Sequence, residues 1–189
     1  MIANTAGVIL AGGKSSRFGS NKALAMVNGK PMISHAMQTF ERLFPEHLLI
    51  TNSPEEYSFT AWDTSPDIYP GAGPLAGIHA ALSRVTSEKI FVVGCDMPFL
   101  NAEVIHFICD QYDGSDIIVP ETKHGLEPLH GLYNKSCLGP ISNNLQAGQR
   151  RIYQFIKEMQ THIVPWQDLA TIDPDQTSFR NINHQHDLT

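Results

Sequence analysis

The chain has 189 residues, a formal net charge of -6, 42% apolar and 17% charged residues. That length and balance fit one domain of ordinary size with a substantial core and exclude a disordered chain. The acidic total disfavours a protein that wraps nucleic acid, and no apolar run approaches a membrane span.

The first predicted strand is Val8-Ile9-Leu10-Ala11, apolar throughout. Gly12 and Gly13 follow it, then Lys14, Arg17 and Lys22 with small and hydroxyl residues between them and no carboxylate. Two glycines let the backbone turn tightly and bring N–H groups close to a ligand. Amide donors and cations with nothing negative among them suit a compact polyanion. Two familiar loops are excluded. A phosphate-binding P-loop needs a glycine where Val8 stands, and the spacing of Gly12, Gly13 and Gly19 does not fit a G-x-G-x-x-G fingerprint. A plain glycine turn with solvated cations would not require this order of residues. The stretch resembles the L-A-G-G-x-S-x-R-[MF]-G-x-x-K signature of nucleotidyltransferases that attach a nucleoside monophosphate to a small phosphorylated acceptor.

Asn28-Gly29 next predicts a tight bend, and Pro31 suits the first turn of a helix whose apolar positions are Met32, Ile33, Ala36, Met37 and Phe40. That helix carries His35, read as a histidine at the solvent or core edge. A second strand covers 47–52, ending in Asn52, which has two readings: a ligand contact or an Asx turn before Pro54. The stretch 55–64 reads as irregular. Asp67 opens a glycine-rich, apolar loop through Gly71, Gly73 and Gly77, expected to line a pocket, and a helix follows. Ile90-Phe91-Val92-Val93-Gly94-Cys95-Asp96 is a buried parallel strand that ends in a carboxylate and is broken by Met97-Pro98. Then come a helix over 103–112, a strand over 116–120, a turn at Glu127 entering a strand, two helices around Gly148 and a short strand over 162–165. The three cysteines, Cys95, Cys109 and Cys137, have neither zinc spacing nor an even disulfide framework. Together with an N-terminus that lacks signal-peptide features, they predict a cytoplasmic protein.

This order implies a single α/β domain over 1–189, a layered Rossmann-like fold with a mainly parallel sheet. Ligands in such sheets bind at the carboxyl ends of the strands, which gathers Gly12, Gly13, Asn52, Asp67 and Asp96 at one edge. Asp96, at the floor of a cleft built for phosphates, is a natural magnesium ligand, because magnesium takes one or two carboxylates plus phosphate oxygens and water. Its plainer role is a capping aspartate. Asp67 is open to three readings: second metal ligand, ribose contact or turn residue. His184 and His186 read as surface histidines, since further well-spaced ligands are absent. A phosphorylated acceptor is already ionised at neutral pH, so no strong general base is needed. Alignment and charge neutralisation by Arg17, Lys22 and a magnesium ion on Asp96 would suffice.

The whole chain resembles the molybdenum cofactor guanylyltransferase family. The resemblance rests on Leu10-Ala11-Gly12-Gly13 with Arg17, Gly19 and Lys22; Asn28-Gly29-Lys30-Pro31; Asn52; Asp67 before Gly73-Pro74-Leu75-Ala76-Gly77; and Cys95-Asp96-Met97-Pro98. Leu145-Gln146-Ala147-Gly148 with Arg150-Arg151, and Phe179-Arg180-Asn181-Ile182-Asn183, are the more particular pieces. The resemblance implies transfer of GMP from Mg-GTP to the phosphate of molybdenum-bearing molybdopterin. It also implies nucleotide contacts at Leu10, Ala11, Gly12, Lys22, Asn52, Asp67 and Asp96, magnesium on Asp96, and Asn181 and Asn183 on the pterin side. Gly13 joins the binding set through its backbone in the opening loop. A partner for cofactor delivery, or a molybdoenzyme, fits a labile product. The chain departs from the family at Asn21, where many relatives carry Asp, and at Phe18, where many have Met. The competing functions are a CTP-dependent molybdopterin cytidylyltransferase, a sugar- or alcohol-phosphate nucleotidyltransferase, and a non-catalytic nucleotide-binding regulator.

Overall fold

Strand β1 (Thr5–Leu10) is buried along its whole length and therefore belongs at the centre of a sheet covered on both faces. The computed structural model describes residues 1–12, 21–183 and 187. Within them, β1 pairs in parallel with β4 (Glu46–Ile50) on one side and β6 (Lys89–Gly94) on the other. Beyond β4 lies β5 (Asp63–Ser65), also parallel. Beyond β6 lies β9 (His130–Asn134), which runs antiparallel to β6 and to its other neighbour β7 (Ile117–Thr122). Strand β10 (Thr161–Val164) closes that edge in parallel with β7. The order is β10-β7-β9-β6-β1-β4-β5, with the short β8 (Gly125–Leu126) attached to β7. The sheet is mainly parallel, as expected, with one antiparallel strand inserted.

Alternation along β1 divides the core. Val8 and Leu10 belong to a cluster with α2 (Pro74–Arg84), α4 (Leu138–Gln146) and α5 (Ile152–Glu158). Ile9 belongs to another with α1 (Met32–Leu43), α3 (Ala102–Asp110) and α6 (Trp166–Leu169). Helices therefore cover both faces, and the apolar spacing read for α1 is its buried stripe: Met32, Ile33, Ala36, Met37, Phe40 and Leu43. Gly7 permits that contact. A Cβ there would stand 2.6 Å from Phe44 and 2.7 Å from Phe40.

The turn signals hold in detail. Asn28 and Gly29 both take positive φ, 48° and 79°, in the hairpin between β2 (Met26–Val27) and β3 (Lys30–Pro31). Pro31 is the N-cap of α1, and His35 on that helix bonds the Val27 carbonyl at 2.8 Å, tying helix to hairpin. One expectation needs correction. The stretch 55–64, read as irregular, contains a 3-10 turn over Pro54–Tyr57 and the start of β5. Three polar residues, Asp63-Thr64-Ser65, give no apolar alternation, and edge pairing with β4 alone makes them a strand. In the glycine-rich loop Ile68 is 55% exposed and Pro70 is also exposed, while Ala72 is buried. No helix among the described residues is long and apolar enough to cross a membrane.

Candidate functional site

Sheet register assembles the site. Leu10 pairs with Ile50 of β4 on one side and with Gly94 of β6 on the other. Gly12, Asn52 and Asp96 each stand two residues beyond that row, at the carboxyl ends of three adjacent strands. The chain leaves β1 for β4 on one side and returns as β6 on the other, so these strand ends flank a topological switch point, where ligands bind in open α/β sheets.

On the β4 side, Asn52 and Asp67 hold each other. The Asn52 Nδ2 donates to Asp67 Oδ2 at 3.3 Å, and the Asp67 backbone N–H donates to Asn52 Oδ1 at 3.1 Å. Burial pushes the Asp67 carboxyl above the usual carboxylate range, against the opposing effect of the Asn52 bond. Its Oδ2 would lie 3.6 Å from a Cβ on Gly12. The loop that follows is clasped from α4 and its C-terminal turn. Gln146 Nε2 lies 3.5 Å from Tyr69 Oη, Ser142 Oγ lies 3.3 Å from the same hydroxyl, and Arg150 donates to the Gly71 carbonyl at 3.5 Å. The Gln146 to Arg151 motif thus meets the loop opened by Asp67, a contact that sequence spacing does not show.

On the β6 side, charges meet. Asn21 Oδ1 accepts from the Ala23 N–H at 3.0 Å and caps a 3-10 turn over Lys22–Leu24. The Asn21 Nδ2 donates to Tyr57 Oη at 2.9 Å and also to Glu56. An aspartate at this position could not make these last two contacts as a donor. The turn aims Lys22 Nζ at Asp96 Oδ2, 2.8 Å away, and at Asn183 Oδ1, 2.9 Å away. The Ile182 N–H donates to the Asp96 carbonyl at 2.9 Å, fixing the C-terminal segment to the end of β6. Gly94 leaves room for the carboxylate, because a Cβ there would fall 2.6 Å from Asp96 Oδ1. Both charged side chains keep access to solvent, 15% for Lys22 and 27% for Asp96.

The structure brings Gly12, Asn52 and Asp67 together, and Lys22, Asp96 and Asn183 together. Asn181 lines an adjoining cavity. Leu10 is 8% exposed and packs its side chain against Gly77, and the Ala11 N–H is spent on the Ile50 carbonyl at 2.8 Å. Gly13 and Arg17 lie outside the described residues, as do His184 and His186. Glu127 was read only as a turn residue, yet its carboxyl lies near enough to Asp96 to feel that charge. Burial first, and the Asp96 charge second, push its carboxyl up to about 7. Its signal in sequence would have been the direction of β9, which local pattern does not carry.

Among the described residues no group of three or more His, Cys, Asp or Glu could hold a metal. A partly exposed carboxylate beside a lysine is not a cage for a bare ion. It does fit magnesium that arrives on nucleotide phosphates, since that ion needs only one or two protein carboxylates.

Comparison with known proteins agrees with this geometry. The MobA-like NTP transferase domain family matches residues 7–163. A molybdenum cofactor guanylyltransferase from Desulfosudis oleivorans is 36% identical over 96% of this chain and 91% of its own length. Another from Syntrophotalea carbinolica is 31% identical over 96% of this chain and 87% of its own. The crystal structure of molybdopterin-guanine dinucleotide biosynthesis protein A from Archaeoglobus fulgidus superposes with a TM-score of 0.85 at 26% identity, covering 97% of this chain and 94% of that one. Nucleotidyltransferases of this kind generally use a divalent metal. A strand-end cleft with a paired lysine and aspartate, and relatives matched over nearly the full chain, place this protein in the molybdenum cofactor guanylyltransferase family of nucleotidyltransferase enzymes.

Proposed function

We propose that the protein transfers GMP from Mg-GTP to the phosphate of molybdenum-bearing molybdopterin, forming the guanine dinucleotide cofactor and releasing pyrophosphate. The observation that carries this reading is the Lys22–Asp96–Asn183 constellation at the switch point of the sheet, in a chain whose relatives are named for that activity.

In the proposed reaction an ionised oxygen of the acceptor phosphate attacks the α-phosphorus of GTP. A new phosphorus–oxygen bond forms, the bond from the α-phosphorus to the bridging oxygen breaks, and pyrophosphate leaves with that electron pair. No proton has to be removed, so no general base is required. Lys22 lies where it can neutralise charge developing on the transferring phosphate, and Arg17 is the second cation proposed for that role. Asp96 is the proposed magnesium ligand, and magnesium bound there would offset phosphate charge. The Asp96 contact holds the Lys22 ammonium in place before substrate arrives, which limits the reorganisation left to the reaction. The nucleotide contacts proposed are Gly12, Gly13, Asn52 and Asp67, with Leu10 and Ala11 contributing backbone shape. Asn181 and Asn183 face the acceptor. One domain over 1–189 and a cytoplasmic location belong to the same reading, as does a partner that supplies or receives the cofactor. The unbridged Cys95, Cys109 and Cys137 support the location.

Calorimetric titration with GTP, CTP and ATP, each with and without magnesium, tests the reading. Magnesium-dependent binding of GTP alone is expected. Preference for CTP would move the protein to cytidylyl transfer, and failure to bind any triphosphate would overturn the proposal.

A further inference from the structure

Lys22 stands at the start of a turn only three residues long, Lys22–Leu24. An ammonium on a flexible four-carbon stem is placed only as well as the backbone beneath it. The far end of this turn is anchored twice. Ala23 is buried to 1% in the core cluster that includes Phe40 of α1, and the Met32 N–H at the start of α1 donates to the Ala25 carbonyl at 2.8 Å. The near end, where Lys22 departs, is held through the side chain of Asn21.

Asn21 works in two directions. Its Oδ1 caps the turn through the Ala23 N–H. Its Nδ2 donates to Tyr57 Oη and to the Glu56 carboxylate, both in the 3-10 turn over Pro54–Tyr57 that follows Asn52. Tyr57 is a fixed post. It is 2% exposed and shares the core cluster of Ala23 and Phe40. Burial above all pushes its hydroxyl up to about 12, so it stays neutral. Glu56 is exposed, and its carboxylate makes the second contact a charge-assisted one. A cap alone would be served as well by serine or aspartate. The second set of contacts needs the two N–H donors that only the amide has. Asn21 therefore ties the turn bearing Lys22 to the β4 side of the cleft, across 35 and 36 residues of sequence.

We propose that Asn21 is a positioning residue for the transfer: it latches the Lys22 turn to Tyr57 and Glu56 and so holds the ammonium where it meets the transferring phosphate. The inference rests on the role given to Lys22 in the function proposed above. Tyr57 is fixed by the core, so the part set loose when the latch is lost is the turn and not the end of β4. Asn21 acts through Lys22. It therefore governs the rate of the chemical step and leaves the affinity for the nucleotide alone.

The test is steady-state transfer from Mg-GTP to molybdopterin by the full chain, comparing the wild type with three variants. Asn21→Ser keeps a capping oxygen, adds no charge and is too short to reach Tyr57 and Glu56. It should lower kcat by about 10-fold, a part of what loss of the lysine itself would cost. Its KM for GTP should stay within about twofold of wild type. Asn21→Asp also keeps the cap but turns the donor into an acceptor facing Glu56, and should lower kcat at least as far. Adding Glu56→Gln to Asn21→Asp supplies a donor in the reverse sense and restores the net charge. That double variant should return to within about threefold of the wild-type kcat. Wild-type kcat in Asn21→Ser would overturn the proposal, and so would a double variant no faster than Asn21→Asp alone. A loss confined to KM for GTP would also overturn it, by assigning Asn21 to nucleotide binding. Wild-type protein that shows no turnover would instead refute the transferase reading itself.

Discussion

The two flanks of the cleft are built differently. On the β4 flank, Asn52 and Asp67 bond only to each other among the contacts the structure gives them, over a separation of 15 residues. On the β6 flank, Lys22 reaches Asp96 across 74 residues and Asn183 across 161, so three distant parts of the chain meet at one ammonium group. The first arrangement is a hydrogen-bonded pair whose carboxyl burial pushes above the usual range, against the Asn52 bond. The second is a charged device that the fold must hold in place. The proposed function assigns binding of the nucleoside to the first and phosphate chemistry to the second, which makes the assignment testable by substitution.

The largest effect is expected at Asp96. Asp96→Ala should abolish turnover while the protein stays folded, because the side chain is 27% exposed and the backbone carbonyl still receives the Ile182 N–H. Substantial activity in that variant, measured as pyrophosphate release, would break the assignment of chemistry to this flank. Lys22→Ala should lower kcat by about two orders of magnitude or more, the usual cost of removing a group that stabilises transition-state charge. A variant altered in thermal stability alone would show that Lys22 serves only the ion pair.

Asn52→Ala sharpens the contrast. It should raise KM for GTP by about 10-fold, the value of one or two hydrogen bonds, with kcat little changed. If kcat falls instead, the β4 flank takes part in the chemical step and the division fails.

The smallest effect concerns stability. His130, fully buried in β9 with neither ring nitrogen bonded among the described residues, is held neutral by burial, its pKa lowered from 6.5 to about 3. A depressed folded-state pKa gives stability that is full above about 6.5 and is lost as pH falls toward about 3. His130→Leu should therefore flatten the acid limb of the urea midpoint between pH 7 and pH 4, leaving the neutral-pH value within a modest range. An unchanged acid limb would mean other groups govern it.

Much of the fold was legible because its signals are local. Apolar runs mark β1 and β6, helical spacing marks α1, and Asn28-Gly29 marks the hairpin bend. The strand-end rule also gathered Gly12, Asn52, Asp67 and Asp96 correctly at one edge, since each follows or faces a paired strand. What escaped was non-local. Strand β5 owes its existence to β4, and the insertion of antiparallel β9 between β6 and β7 depends on partners far along the chain. The approach of Glu127 to Asp96 depends on where β9 enters the sheet, so turn chemistry at Glu127-Pro128 could not reveal it. The bond between Lys22 and Asn183 needed the C-terminal segment to return to the end of β6, which the Ile182 contact accomplishes.

The most direct measurement is transfer itself: GTP labelled at its α-phosphate, incubated with magnesium and molybdopterin, with label followed into the dinucleotide and pyrophosphate counted. Equal appearance of both products from GTP, absent with CTP and lost in Asp96→Ala, is the result predicted. Pyrophosphate without labelled dinucleotide, or label entering equally from CTP, would contradict the account.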